Sequence, residues 1–243
     1  MEFKPREFKP REAARGAVLR RLGVSPLVST AMIDISQFHH AHVERQNVPA
    51  RFDIDGLTID APAGIYHPTL DSSSEFFIRT MKAMDPARFP KVLEVGAGCG
   101  AISLYVAARW NSEVVASDIS LEAIETVSRN AALNGLAVRT IVSDLFEAID
   151  QRDFDLIVFN TPLIDQEPEA AVEKYSLCDP DGRIVGAFLR QAGAYIRKSG
   201  LIIFSLCSNS AYEVLDGIAL DFRIVAFELG YTGFWRAIVG ARL

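Results

Sequence analysis

The sequence predicts an α/β fold, a mainly parallel sheet covered by helices on both faces. Three observations carry that prediction. From Lys91 onward, short apolar runs alternate with segments of helical period. The runs lack the polar alternation of a half-exposed strand, as strands buried on both faces do. Glycines and single acids stand at the ends of the runs, where an open α/β sheet holds its ligands.

Before that region the chain is mixed. Residues 1–12 hold a tandem repeat, Glu2-Phe-Lys-Pro-Arg6 and Glu7-Phe-Lys-Pro-Arg11, whose prolines block a regular helix. Ala14, Val18 and Leu22 recur at helical spacing, so a helix is expected over Glu12–Leu22, and another over about 27–46. Arg51–Asp60 alternates around Asp55-Gly56, a hairpin signal. A loop over 61–71 leads to a helix over 72–84, capped by serines and closed by Asp85-Pro86.

The alternating region then reads in order. Strand 92–95 meets the glycine turn 96–100 and helix 101–109. Strand 113–117, helix 121–133, strand 137–142 and strand 154–159 follow. A long loop over 161–182 precedes helix 183–198 and strand 201–206. A helix over 211–220 and strands near 222–228 and 234–239 close the chain. With no helix between them, the last two strands are expected to pair antiparallel.

Composition narrows the function. The 243 residues suit one large domain with an appendage, residues 1–85 as a helical and hairpin lid over a core of 86–243. No apolar run approaches the ~18–20 residues that span a bilayer, and the charged start lacks a signal peptide's apolar stretch. Three scattered cysteines, Cys99, Cys178 and Cys207, fit reduced thiols in a cytoplasm. The net charge of −6 argues against a duplex nucleic-acid grip. Residues 1–24 are the exception, with seven basic and three acidic side chains, read as a solvated face. His39, His40 and His42 suggest a metal, but no cysteine or acid cluster accompanies them and no metal is expected.

The chemistry lies at the strand ends. Glu94-Val-Gly96-Ala-Gly98-Cys-Gly100 joins a strand to a helix, where glycines let backbone approach a ligand and free N–H groups meet it. Asp118 ends the next strand, positioned to accept from ribose hydroxyls. Ser143-Asp144-Leu145 follows the third, and Asn160-Thr-Pro-Leu163 the fourth. Taken singly, the glycines could merely form a turn and the acids cap helices.

Together, VLEVGAGCGAISLYVA, VVASDIS, SDLF and FDLIVFNTPL resemble the class I S-adenosylmethionine (SAM)-dependent methyltransferases. The nearest branch is the small-domain group that includes release-factor glutamine and ribosomal RNA guanine enzymes. The likeness covers about 64–206, including the proline-containing loop at Gly64–Thr69. It implies a Rossmann-like seven-stranded sheet with SAM as cofactor. By the same resemblance Gly96, Gly98 and Gly100 cradle the methionine moiety, and Glu94 balances its charge. Asp118 holds the ribose, Ile119 packs on adenine, Asp144 accepts from the adenine amine and Leu145 stacks nearby.

Asn160-Thr-Pro-Leu163 departs from the branch's [Asn/Asp]-Pro-Pro-[Tyr/Phe]. It keeps the acceptor Asn160 beside a target nitrogen and loses the aromatic that packs on a planar target. Asn160, Tyr175 and Ser205 are the candidate catalytic residues, with Ser208 near them and Tyr66 placed to face the sulfonium. The absence of a basic RNA-binding domain favours a small-molecule nitrogen or oxygen as acceptor, in specialised metabolism, with no nucleic-acid or membrane partner. Two alternatives keep the same pocket. One is a cyclase that turns SAM itself into azetidine-2-carboxylate and methylthioadenosine; the other is a non-catalytic SAM-binding protein.

Overall fold

The computed structural model describes residues 8–24, 28, 43–169, 173–230 and 233–243, with the side chains of 8–11, 174 and 175 outside that description. The expected helix over 27–46, most of the basic repeat and the three clustered histidines fall largely or wholly outside it.

Helix α1 (Phe8–Arg21) comes first. Strands β1 (Ala50–Ile54) and β2 (Leu57–Ala61) form an antiparallel hairpin. Its turn is Asp55-Gly56, both at positive φ (56° and 78°), the backbone that a two-residue hairpin turn requires. Helix α2 (Ser73–Met81) starts where the Ser72 hydroxyl accepts the Glu75 N–H. Asp85 caps a 3-10 turn at Pro86–Arg88.

The alternating region follows as β3 (Lys91–Val95), α3 (Ala101–Arg109), β4 (Glu113–Asp118), α4 (Leu121–Leu133), β5 (Arg139–Val142) and β6 (Phe154–Phe159). A short α5 (Glu173–Ser176), α6 (Arg183–Ala192), β7 (Ile196–Cys207), β8 (Asp221–Leu229) and β9 (Trp235–Arg242) complete it. The seven strands from β3 on form one sheet, ordered β5-β4-β3-β6-β7-β9-β8. The five on the β5 side run parallel, while β9 is antiparallel to both β7 and β8. All parallel strands therefore end on one edge, and that edge carries the glycine turn, Asp118, Asp144 and Asn160.

Two apolar layers flank the sheet. One packs Phe154, Phe188, Phe204 and Trp235 with Val18, Leu19 and Leu22 of α1. The other packs Phe77, Met81, Leu104, Val127 and Leu156 with Ile59 of the hairpin. Buried Arg15 fastens α1: its guanidinium donates to the carbonyls of Ser208 and Ser210, pairs with Glu213 and lies 4.1 Å over the Tyr212 ring.

Asn130 of α4 and Asn134, the residue that caps its C-terminal end, fasten the hairpin. Asn134 donates to the Thr58 carbonyl (2.8 Å) and accepts its N–H (3.0 Å). Asn130 does the same for Asp60 (2.8 and 3.0 Å) and also donates to the Cys99 carbonyl in the glycine turn (2.9 Å).

Four elements differ from the sequence expectation. Helix α1 begins at Phe8 and not at Glu12, because Pro10 falls in its first turn, where the missing N–H has no partner within the helix. The helix expected to reach 198 stops at Ala192 with Gly193 as its cap, and residues from Ile196 already pair in β7. The helix expected over 211–220 is a 3-10 turn, Tyr212–Gly217. The loop 161–182 contains α5 and a bridge between Ile164 and Cys178. Among the described residues, no helix is long and apolar enough to cross a membrane.

Candidate functional site

A cavity of about 1120 Å³ opens at the carboxyl edge of the parallel strands. The glycine turn forms its floor. Gly96 has φ +66°, and a Cβ there would lie 2.7 Å from the Phe159 ring, so only glycine keeps this backbone low. Gly98 has φ +56°, and a Cβ there would meet only Ile65, at an ordinary 3.8 Å; its requirement is conformational. Gly100 does not line the cavity. It begins α3 at φ +84°, and a Cβ would meet Leu104 and Val127 at 2.8 and 3.1 Å. Its lack of a side chain lets α3 and α4 approach.

Asp118 ends β4 beside this floor. Its carboxylate accepts the N–H of Gly98 and of Ser120, both at 2.9 Å. A carboxylate has about four acceptor positions, so capacity remains for hydroxyl donors. Burial raises its pKa, against the pull of those N–H bonds. The next residue, Ile119, is apolar yet 39% exposed, because it faces the cavity. Asp144 and Leu145 form the neighbouring wall after β5. Leu145 sits at φ +46°, unusual for a branched residue. The turn is held by Ser143, whose hydroxyl accepts the Ala148 N–H (3.0 Å) and whose N–H donates to the Asp118 carbonyl (2.8 Å).

Glu94 is 2% exposed at the end of β3. Its carboxyl accepts the Ser103 N–H (2.8 Å) and the Ser103 hydroxyl, in the first turn of α3. Burial outweighs these donors and pushes its pKa up to about 8. The sign of the pH effect follows. Between the ordinary value of 4.5 and about 8 the unfolded chain has released a proton that the folded chain keeps. That contribution to stability is full below the ordinary value and is lost as pH rises through about 8. Glu94→Gln should therefore flatten the fall of the ligand-free Tm across this range. An unchanged difference between the two proteins from mildly acidic to mildly alkaline pH would refute a titrating Glu94.

Asn160 directly follows β6, with both sides of its amide engaged. Its Nδ2 donates to the Ser74 hydroxyl (3.2 Å), and its Oδ1 accepts the Ser205 hydroxyl (3.1 Å). Ser205 is buried behind Asn160 and is not in the cavity wall. Thr161 joins this group through its N–H and its hydroxyl, both directed at Ser205. Beyond Asn160 the wall becomes apolar, with Leu163, Ile164 and Leu177. Ser208 is buried with its hydroxyl on Asn209. Tyr66 borders the cavity, but its hydroxyl meets the Ser73 N–H (3.3 Å) and hydroxyl (3.1 Å), and burial raises its pKa. Tyr175 lies in α5, with its side chain outside the described residues.

The structure thus gathers Tyr66, Glu94, Gly96, Gly98, Asp118, Ile119, Asp144, Leu145 and Asn160 around one cavity. Sequence reasoning missed Ser74, Ser103 and Thr161 as partners of site residues. No local signal marks them, since Ser74 and Asn160 stand 86 positions apart. Among the described residues, no group of three or more His, Cys, Asp and Glu could hold a metal. The donor set fits SAM: a low floor for the methionine chain, acceptor capacity for a ribose and an apolar wall for a base.

Three comparisons bear on this site. The sequence model of the family described as "Methyltransferase small domain" matches residues 56–231. The release factor glutamine methyltransferase of Deinococcus radiodurans is 31% identical over 93% of this chain and 80% of its own length. The ribosomal RNA small subunit methyltransferase C of Salmonella choleraesuis is 33% identical over 48% of this chain and 33% of its own length. In structure, a T. thermophilus 16S rRNA N2 G1207 methyltransferase, solved with AdoMet and guanosine, superposes with a TM-score of 0.61. That pair shares 21% identity, over 80% of this chain and 50% of the other. The two relatives are named for a protein and an RNA acceptor. The expectation of a small-molecule acceptor, or of SAM as sole substrate, with no nucleic acid, is overturned by them. Its premise was at fault: a protein acceptor needs no basic, phosphate-gripping surface, so net acidity says little about it.

Proposed function

The chain belongs to the methyltransferase small-domain family and is a SAM-dependent methyltransferase, and from that premise we propose that it methylates a side-chain amide nitrogen, a glutamine, in a protein. The observation that carries the reading is Asn160. Asn160 lines the cavity between the glycine floor and the apolar stretch Leu163–Ile164, and its carbonyl oxygen, held on one side by Ser205, keeps a second acceptor position. An oxygen so placed accepts an N–H of an incoming amide and turns the nitrogen toward the floor. Aliphatic Leu163 suits the methylene stem of glutamine, whereas a nucleobase is better held on an aromatic face. The relative that covers nearly the whole chain is the one named for glutamine.

When bound, SAM supplies a methyl group on a sulfonium, ready for in-line displacement. In this reading Gly96 and Gly98 admit its methionine end, Asp118 accepts from the ribose, and Ile119, Asp144 and Leu145 take the adenine. Tyr66, Ser73 and Ser74 all come from residues 1–85 and border the cavity. That supports the reading of this segment as a lid that excludes water from the 86–243 core.

Asp118→Ala should weaken SAM binding by roughly tenfold or more in calorimetry, given ~1.5–3 kcal/mol for charge-assisted hydrogen bonds. Unchanged affinity would sink the ribose assignment. The acceptor is tested with methyl-tritiated SAM, offered in turn to a purified release factor and to ribosomal RNA. Label on a glutamine of the protein supports the reading. Label on RNA alone overturns it in favour of a base, and methylthioadenosine released from SAM without any acceptor overturns it in favour of cyclisation.

A further inference from the structure

SAM carries a carboxylate at its methionine end, and an anion entering this cavity meets mainly acids. Asp71, Asp118, Asp144 and Glu147 line it, besides buried Glu94, against two guanidiniums, Arg45 and Arg183. Arg183 is already committed: it donates to the Pro180 carbonyl at 2.9 Å and pairs with Glu167 at 2.6 Å. Arg45 is exposed and, among the described residues, makes no hydrogen bond or ion pair. It is the cavity's one uncommitted cation among those residues.

The backbone places Arg45 at the methionine end. It belongs to a helical turn over 43–46 that is pinned on both sides. Val43 packs on the cluster of Ile164, Leu177 and Cys178. The Gln46 carbonyl accepts the Gly64 N–H at 2.7 Å, and the Gln46 side chain is wholly buried. Ile65, the next residue, reaches the glycine floor, since a Cβ on Gly98 would lie 3.8 Å from its methyl. The turn is thus fastened beside Gly98, whereas Asp118 and Asp144 follow other strands.

We infer that Arg45 binds the α-carboxylate of SAM, as a cofactor-recognising cation that residues 1–85 bring to the core. A guanidinium fork matches a carboxylate with two parallel hydrogen bonds, and its charge offsets the surrounding acids. Because the turn at 43–46 lies in the proposed lid, the same contact ties the lid to the cofactor. The inference rests on the placement of the methionine end over Gly96 and Gly98, and not on glutamine as the acceptor.

The test is calorimetry on the full chain with two ligands, SAM and decarboxylated SAM. The second keeps the sulfonium, amine, ribose and adenine and lacks the anion. The parent should bind it roughly tenfold more weakly than SAM. Arg45→Gln should lose roughly tenfold in affinity for SAM and little for decarboxylated SAM, so that it no longer tells the two apart. Arg45→Met keeps the apolar stem without the charge; it should behave alike and serves if the first variant does not fold.

Equal losses for both ligands would overturn the inference, because Arg45 would then shape the pocket without binding the anion. Unchanged SAM affinity would also overturn it, and a raised KM for a release factor in that variant would give Arg45 to a carboxylate of the acceptor. Asp118→Ala separates the two levels. If it weakens SAM binding while Arg45→Gln does not, the placement of SAM stands and Arg45 alone is misassigned. If neither weakens it, the placement itself fails.

Discussion

Asn160→Ala should lower kcat by on the order of a hundredfold, the usual cost of one preorganised polar contact to a reacting group. SAM affinity should hardly change, because the glycine floor, Asp118 and Asp144 lie on other strand ends. The distinction is kinetic. A residue that binds substrate and transition state alike shifts KM, whereas one that orients the nitrogen in the transition state lowers kcat. Single-turnover transfer from labelled SAM, beside calorimetric binding, separates the two. A variant with parental kcat would make Asn160 a structural strand end, and nitrogen chemistry would lose its acceptor.

Gly96→Ala should cost both stability and cofactor. Positive φ costs a non-glycine residue roughly 1–2 kcal/mol. A Cβ at 2.7 Å from the Phe159 ring adds an overpacking cost of about 1–3 kcal/mol. In a chain of this size the sum corresponds to a Tm lower by on the order of ten degrees. The methyl would also displace the Phe159 ring at the cavity wall, so SAM binding should fall below detection. Gly135→Ala is the control, with φ +65° and nothing within 4 Å of the added carbon. It should show the conformational cost alone and keep SAM binding. Equal losses in the two variants would leave the Phe159 contact without consequence.

Much of the fold was legible because its signals are local. Asp55-Gly56 announces its hairpin by the backbone it permits, and β6, FDLIVF, is apolar enough to declare burial on both faces. The parts that misread are those where a local pattern competes with a distant one. Residues 193–198 continue a helical period, yet Gly193 interrupts it and β6 offers Ile196 a pairing partner. Strand β9 enters the sheet between β7 and β8, an order that no periodicity encodes. At the site, Asp118, Asp144 and Asn160 could be read because each ends a strand or follows one within two residues. The partners of Asn160 could not be read, since Ser74 and Ser205 reach it from segments remote in sequence. Arg15 was equally hidden. As a sequence feature it belongs to a basic, solvated face, and only the fold shows its guanidinium spent on two backbone carbonyls.

The asparagines at the C-terminal end of α4 have a consequence for how the molecule meets copies of itself. Strand β2 turns the peptide groups of Thr58 and Asp60 away from β1, and a two-stranded ribbon ordinarily leaves such groups as a template for a third strand. Here Asn134 and Asn130 answer all four of them, one N–H and one carbonyl apiece, as a neighbouring strand would. The side chains are short and rooted four residues apart at the end of a rigid helix, so the valence is filled without adding a strand. That edge of the ribbon, the β2 side, is insulated against intermolecular β-pairing.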